Sequence, residues 1–286
     1  MITEKLQSKM RIEVVPYNPN WPAMFENEKR IIHAALGDNC VMVYHVGSTS
    51  VPGLAAKPKI DIVAVAKDEG KTIQNLEKVN YFYKGEWNIP LKYGFAKRGN
   101  TDVNLHLFLD KNHPEIELNL RFRDYLRTHP RVCDEYAAVK MKILQDEVAQ
   151  QKVGKLSFPV YTLRKSGFIN KIIRDMGYNR LRVLKCTTEA EWNTAKEFRK
   201  KYFNRLESVD LIDGELDSLN HEHFLLYKGV EIIGYADLHI ISKSKAKLYV
   251  LETVDDKEAS SFFNAVIEKW VKVRGYNLTK TLDTSI

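Results

Sequence analysis

The stretch HVGSTSVPGLAAKPKIDIVAV, from His45 to Val65, gathers residue types that handle phosphate. Gly47 lets a ligand approach the backbone closely, and Ser48, Thr49 and Ser50 supply hydroxyl and amide donors suited to phosphate oxygens. Asp61 opens the apolar run of Ile62, Val63, Ala64 and Val65. A lone charge there is either at the end of a sheet or paired. The competing reading is a solvated turn followed by a strand-terminal Asp.

The elements that must position this stretch read as mixed α and β. Asn20 is placed to cap a helix from Trp21, with Pro22 in the first turn and Gly37 at the far end. Trp21, Phe25, Ile32 and Ala35 recur along it at helical spacing. Val41 to Val46 and Ile60 to Val65 read as strands, and Ile73, Leu76 and Val79 mark a helix before a Tyr-rich stretch from Tyr81. Leu91 to Lys97 and Val103 to Leu109 read as two more strands, separated by the turn formers Arg98, Gly99 and Asn100. Three helices follow: one opened by Pro114, one with Val132, Tyr136, Val139 and Ile143 on a stripe, and one from Phe168 to Met176 closed by Gly177.

After Gly177 the pattern restarts, which places a domain boundary at 178–181 and divides the chain into 1–178 and 181–286. Arg182 to Lys185 reads as a strand, and Thr188 with Glu191 is a capping box for a helix running to Tyr202. Strands are expected at His223 to Tyr227, Glu231 to Ile241 and Lys247 to Val254, with a hairpin turn at Lys228-Gly229. A helix from Lys257 to Val273 and a short strand near Leu278 to Leu282 complete the pattern. The fold class is α+β: a mixed-sheet domain with packed helices, then a smaller α/β domain.

Composition narrows the function classes. Of 286 residues 28% are charged and 44% hydrophobic, near globular averages, which excludes wholesale disorder. No apolar run approaches the length of a membrane span. The opening MITEKLQSKMRIEVV has no apolar core, so no secretory signal is expected and the expected location is the cytoplasm. Cys40, Cys133 and Cys186 lie far apart, without zinc or redox spacing. The formal charge of +7 is uneven: residues 1–180 hold 28 Lys+Arg against 20 Asp+Glu, while the remainder is nearly neutral. That excess suits a phosphorylated small molecule or nucleotide. No Lys/Arg-rich block occurs, so nucleic acid is not an expected partner.

The central stretch also resembles the signature of the GrpB family, a group placed in the nucleotidyltransferase superfamily. The likeness covers roughly residues 11–176. It includes IEVVPYNPNWPAMF, HVGSTSVPGLAAKPKIDI, YKGEWNIP, FAKRG, NLHLF, LRFRDYLRTHP, YAAVK and YTLRKSGFI. The resemblance implies a nucleotidyl- or phosphoryl-transfer class of reaction on a nucleotide or phosphorylated small molecule. Superfamily members carry a glycine-serine pair and, about a dozen residues later, an Asp-hydrophobic-Asp/Glu strand. Gly47, Ser48 and Asp61 match, whereas Val63 stands where the second carboxylate belongs. Nucleotidyl transfer generally needs two or three carboxylates to hold Mg²⁺, so the usual two-metal arrangement is in question.

A replacement is conceivable. If the strands neighbour one another, His45, Asp61 and His106 converge as ligands for a divalent metal: Mg²⁺, Mn²⁺ or, better suited to such a set, Zn²⁺. Alternatively Asp61 orients His106 as a general base, or His106 is a half-buried strand histidine satisfied by a carbonyl. Glu86, in the GEWNIP stretch, is a candidate for the missing carboxylate. Lys57, Arg98, Arg121 and Arg123 are candidate substrate-binding cations, with a solvated surface charge as the alternative for each. Arg121 and Arg123 are two apart and diverge on a helix.

Residues 181–286 resemble a GNAT-type acyltransferase in element order, in EIIGYADLHI and in KLYVLETV. That family holds the coenzyme A pyrophosphate on a glycine-rich turn at a helix start. Here the turn is VDDKEASSFF, without glycine, with Asp255, Asp256 and Glu258 where phosphates would sit. Acetyl-CoA is therefore not expected, and the domain reads as shortened, an interaction or substrate-selecting module. Asp237 and Glu252 are the bases available to it if it does act. Three readings stand: the phosphate-handling transferase, an N-acyltransferase acting on a small amine, and a non-catalytic nucleotide-binding or regulatory protein.

Overall fold

In the computed structural model of the chain, which describes residues 12–150, 152–153, 158–202, 220–254 and 257–280, helix α1 spans Trp21–Leu36. Its first turn is set by Pro22 and by the Met24 amide donating to the Asn20 carbonyl at 2.9 Å. The Asn20 side chain makes no cap, because its backbone is already near-helical at φ −82° and ψ −12°. Gly37 ends the helix at φ 54°, in the left-handed region that favours glycine. Trp21, Phe25, Ile32 and Leu36 make the buried stripe.

Five strands follow α1 and form one mixed sheet. They are β1 (Cys40–Val46), β2 (Lys59–Ala66), β3 (Phe82–Gly85), β4 (Lys92–Lys97) and β5 (Asp102–Phe108), in the order β1-β2-β5-β4-β3. The β2–β5 pair is parallel and the other pairs are antiparallel. A short helix, α2 (Thr72–Glu77), connects β2 to β3.

Register assigns each side chain to a face. In β1–β2, His45 lies opposite Ile62 and Val46 opposite Asp61. In β2–β5, Asp61 lies beside Asn104 and Val63 beside His106. Because side chains alternate along a strand, Ile60, Ile62, Ala64, Val103, Leu105 and Leu107 share one face, and they pack with α1 and α2 into one core. Asp61, Val63, Asn104 and His106 share the other.

Helices α3 (Pro114–Thr128), α4 (Pro130–Leu144), α5 (Val160–Arg164) and α6 (Ser166–Asp175) follow, with a two-residue ladder of β6 (Lys152–Val153) and β7 (Phe158–Pro159) between α4 and α5. Val51 and Leu54, from the loop after β1, join Leu126, Cys133, Tyr136 and Ile172 in a second apolar cluster. That cluster ties three of these helices to the glycine-serine turn.

The chain divides into two compact units, the first made of residues up to Tyr178 and the second mainly of residues from Asn179 onward, with Trp87–Pro90 grouped in the second. The second unit is a five-stranded sheet of β8 (Leu181–Lys185), β9 (His221–Lys228), β10 (Glu231–Ser242), β11 (Lys245–Thr253) and β12 (Asn277–Lys280), in the order β12-β11-β10-β9-β8. It is antiparallel except for the parallel β11–β12 pair. Helix α7 (Glu189–Tyr202) places Ala195 and Phe198 against Leu225 and Tyr235. Helix α8 (Lys257–Val273) places Trp270 edge-on to Phe224, on the opposite face. The capping box forms: Glu191 Oε2 accepts from the Thr188 amide at 2.9 Å, and the Glu191 amide donates to Thr188 Oγ1 at 3.3 Å. The last strand ends at Lys280, and the expected extension to Leu282 lies outside the described residues. No helix among the described residues is long and apolar enough to cross a membrane.

Candidate functional site

Asp61 organises the polar groups of the first unit. Asn104 Nδ2 donates to Asp61 Oδ1 at 2.9 Å, and Arg98 Nη2 donates to Asn104 Oδ1 at 3.2 Å. Arg98 also donates from Nη1 to the Lys97 and Val103 carbonyls, each at 2.8 Å. It therefore acts on Asp61 through Asn104, fixing which end of the amide faces the carboxylate. Gly47 is required for two reasons. Its φ is +69°, and a Cβ there would lie 2.6 Å from Asp61 Oδ2.

Three lysines act on this carboxylate, and a fourth reaches the turn beside it. Lys57 and Lys59 flank Pro58 just before it, Lys140 comes from α4, and Lys165 caps α6. Burial pushes the Asp61 carboxyl up, opposed by the Asn104 hydrogen bond and then by Lys59, Lys165 and Lys57. Burial, then the neighbouring Lys165 and Lys59, pulls Lys57 down to about 8. Lys140 falls to about 7 by burial and then by Lys165. Lys59 and Lys165 are lowered mainly by burial. Burial is the largest cause for each lysine, and the repulsion that Lys57 and Lys140 also feel from Lys165 is the part an anion among them would offset.

Two tyrosines support these cations. Lys140 Nζ lies 4.6 Å from the Tyr136 ring centre, while Lys165 and Lys57 lie 4.8 and 4.4 Å from that of Tyr161. The Tyr136 hydroxyl is hydrogen-bonded to Ser48. Lys140 Nζ donates to Ser48 Oγ at 3.3 Å and to the Ala55 carbonyl. Ser48 of the glycine-serine turn thus stands at the centre of the lysine-tyrosine set.

Of the residues anticipated from sequence, Gly47, Ser48, Lys57, Asp61 and Arg98 meet here. Thr49 is turned inward: it is buried, accepts from or donates to His45 Nε2 at 3.0 Å, and donates to the Lys59 carbonyl at 3.2 Å. His45 lies on the α1 face, stacked on Phe25 at 4.8 Å, and burial, then Arg127 and Arg123, lowers it to about 4. His45 and Asp61 therefore point to opposite faces and do not converge. His106 shares the Asp61 face but sits two residues beyond Asn104, and burial, then Lys92, lowers it to about 3. Lys92 in turn is lowered by burial, opposed by Glu115 and then Glu86, so His106 and Glu86 both belong to the surroundings of Lys92. Glu86 Oε2 accepts from the Leu91 amide at 2.6 Å, holding the backbone where Leu91 has a φ of 61°.

Two anticipated ligand cations hold backbone. Arg121 donates to the Met176 carbonyl at 2.6 Å, and Arg123 to the His45 carbonyl at 3.0 Å. Arg127, with bonds of 3.0 and 2.6 Å to the Ser50 carbonyl, does likewise. Arg123 and Arg127 thereby anchor the two ends of the turn. Among the described residues no group of three or more His, Cys, Asp or Glu is placed to hold a metal ion.

Sequence reasoning did not single out Lys140, Lys165, Tyr136, Tyr161 or Asn104. A signal was present: Tyr136 and Lys140, like Tyr161 and Lys165, are Tyr and Lys four residues apart. On a helix that spacing places the amine over the ring.

The second unit holds a different cluster. Asp237 is wholly buried, and His221 Nδ1 lies 3.0 and 2.9 Å from its two oxygens. His223 Nδ1 lies 3.5 Å from Asp237 Oδ1 and 2.6 Å from Tyr235 Oη, which accepts from Arg199 Nη1 at 3.1 Å. The His221 and His239 rings stack at 4.4 Å. Burial raises Asp237 to about 7, opposed by Arg199. Glu252 is exposed on β11. Glu258 lies in the first turn of α8, as anticipated, while Asp255 and Asp256 lie outside the described residues.

Mixed sheets, packed helices and a buried carboxylate beside a glycine-serine turn define an α+β protein whose first unit carries lysines near that carboxylate. Residues 11–175 match the model of the GrpB protein family, and the chain belongs to that family. It is 43% identical over 142 residues to the UPF0157 protein BH1888 of Halalkalibacterium halodurans, covering 49% of this chain and 72% of that protein. With YqkA of Bacillus subtilis, another UPF0157 protein, it shares 34% identity over 157 residues, 52% of this chain and 46% of that protein. The crystal structure of conserved protein GrpB from Enterococcus faecalis is 31% identical, covers 57% of this chain and 96% of its own, and superposes with a TM-score of 0.49. The family match ends before the second unit begins.

Proposed function

We propose that the first unit binds a nucleotide or another phosphorylated small molecule at Ser48 and Asp61, in service of a nucleotidyl- or phosphoryl-transfer reaction. The observation that carries the reading is the charge imbalance at Asp61. Lys57, Lys59 and Lys165 all act on Asp61, with Arg98 beside Lys59 and Lys140 beside Lys165, and the opposing charges among the described residues are Asp61 and, for Lys59, Asp102. Like charges a few Å apart in a partly buried site repel by about 1–4 kcal/mol, so the arrangement calls for an anion. Ser48 and the glycine-serine turn supply hydroxyl and amide donors beside it. In the transfer step the attacking hydroxyl oxygen bonds to phosphorus as its proton passes to Asp61, whose carboxyl is raised by burial, the bond from phosphorus to the leaving phosphate breaks, and the lysines hold the phosphate oxygens and the departing anion.

The second unit is assigned an interaction or substrate-selecting role. Glu258 at the start of α8 opposes the pyrophosphate that an acyltransferase would seat there.

Thermal shift with ATP, GTP, CTP and acetyl-CoA tests the reading. A nucleotide at about 100 times its dissociation constant adds about 2.7 kcal/mol of stability. Lys165→Met weakens binding about tenfold and so cuts the stabilisation to about 1.4 kcal/mol, and Asp61→Asn keeps binding but removes transfer. Stabilisation by acetyl-CoA alone, surviving Lys165→Met, would overturn the proposal in favour of the acyltransferase reading. No response to any ligand would favour a regulatory protein.

A further inference from the structure

The superfamily resemblance brings with it an expectation of divalent metal, and the donor set around Asp61 can be tested against it. Mg²⁺ demands oxygen ligands in near-ideal octahedral geometry and is ordinarily held by carboxylates together with substrate phosphates. Asp61 Oδ1 already accepts from Asn104 at 2.9 Å. Oδ2 is packed against the turn, 2.6 Å from where a Gly47 Cβ would be. The second carboxylate position is Val63, which is fully buried and apolar. His45 points to the opposite face, and His106 belongs to the surroundings of Lys92, whose positive charge also disfavours a cation beside it.

What does surround Asp61 is ammonium. Lys57, Lys59 and Lys165 each act on it electrostatically, and Lys165 acts on Lys140, which reaches Ser48 Oγ. A dication seated there would meet several like charges with one carboxylate to offset them. The cations are also held in place: Lys57 and Lys165 share the Tyr161 ring, and Lys140 lies over Tyr136. The residues do not fit a magnesium site.

We infer that the first unit binds its phosphate-bearing ligand without a divalent metal, Lys57, Lys59, Lys140 and Lys165 supplying the positive charge that a metal ion would otherwise bring. The inference rests on the phosphate-binding reading above and narrows its ligand class to the uncomplexed polyanion. Free ATP or pyrophosphate carries more negative charge than its Mg²⁺ complex, so magnesium competes with the lysines for the same phosphate oxygens.

The test is calorimetric titration of the whole chain with ATP, inorganic pyrophosphate and tripolyphosphate, first in EDTA and then in excess Mg²⁺, Mn²⁺ or Zn²⁺. Binding in EDTA that is at least as tight as with metal, weakens about threefold or more in excess Mg²⁺ and falls steeply with salt is the expected result. Binding that needs the metal, tenfold or more tighter with it than in EDTA, overturns the inference and leaves the phosphate-binding reading standing. Failure of every phosphate compound in every condition removes both. Lys165→Met and Lys57→Met, checked for folding by circular dichroism, each weaken binding in EDTA about tenfold. The wild-type metal and salt series decides the matter even if a variant does not fold.

Discussion

Asp61 and Asp237 are both carboxylates set into a β-sheet and raised by burial, yet their surroundings differ in kind. Around Asp61 stand lysines that outnumber it, repel one another and rest on tyrosine rings. Around Asp237 stand His221, hydrogen-bonded to it, and His223, 3.5 Å away and linked through Tyr235 to Arg199. Among the described residues the first arrangement leaves positive charge in excess. The second pairs its carboxylate with histidine. Excess charge is what an anionic ligand would answer, whereas a buried hydrogen-bonded network is first of all a structural element.

The largest expected effect tests the buried network. Asp237→Ala strands the His221 Nδ1–H in the interior and should destabilise the second unit by about 3 kcal/mol, read by urea denaturation. A loss below about 1 kcal/mol would mean that the network is not holding the unit together. Gly47→Ala comes next, at about 2 kcal/mol, because an L-residue at φ +69° is strained and its Cβ meets Asp61. Ligand binding should fall with it, since Asp61 must move.

Acidification gives an intermediate effect, in which the first unit's histidines are opposed by Asp61 and by Asp237 of the second unit, both raised by burial. His45 and His106 have folded values of about 4 and about 3, below the ordinary 6.5. Below pH 6.5 the unfolded chain therefore binds protons that the folded chain refuses, so stability falls as pH drops from about 6.5 toward 4. Each histidine contributes at most about 1.4 kcal/mol per pH unit. Asp61, raised by burial, acts in the opposite sense, so Asp61→Asn should steepen the decline. Denaturation midpoints at pH 7 and pH 5, with and without His106→Gln, measure both.

The smallest change should be the most telling. Lys165→Met ought to leave stability within about 0.5 kcal/mol or raise it, because it removes a buried ammonium, while phosphate binding weakens about tenfold. A charge whose removal harms binding and spares folding is the opposite of Asp237.

Much of the fold was legible along the chain. The amphipathic stripe of α8 marks its extent from Lys257 to Val273, and the strong apolar runs mark β1 and β2. Elements of two to five residues, such as β3, α5 and the β6–β7 ladder, carry too few residues to show a period. The candidate site was half legible. Gly47, Ser48, Asp61 and Lys57 lie close together in sequence with turn and strand chemistry that singles them out. Lys140 and Lys165 were hidden because a lysine on a helix is ordinarily a solvated surface charge, and Asn104 because a polar residue on a strand is unremarkable until its neighbour is known.

The sequence alone determined which segments become strands and helices, where the glycine-serine turn falls, and that one carboxylate follows it. Those are local matters, governed by side-chain periodicity and backbone freedom. Tertiary structure decided which groups meet. The register of β1 against β2 turns His45 away from Asp61, because one residue's shift along a strand exchanges faces. The packing of α4 and α6 brings Lys140 to Ser48 and Lys165 to Asp61, groups roughly 90 and 100 positions earlier in the chain, a meeting that no local spacing encodes.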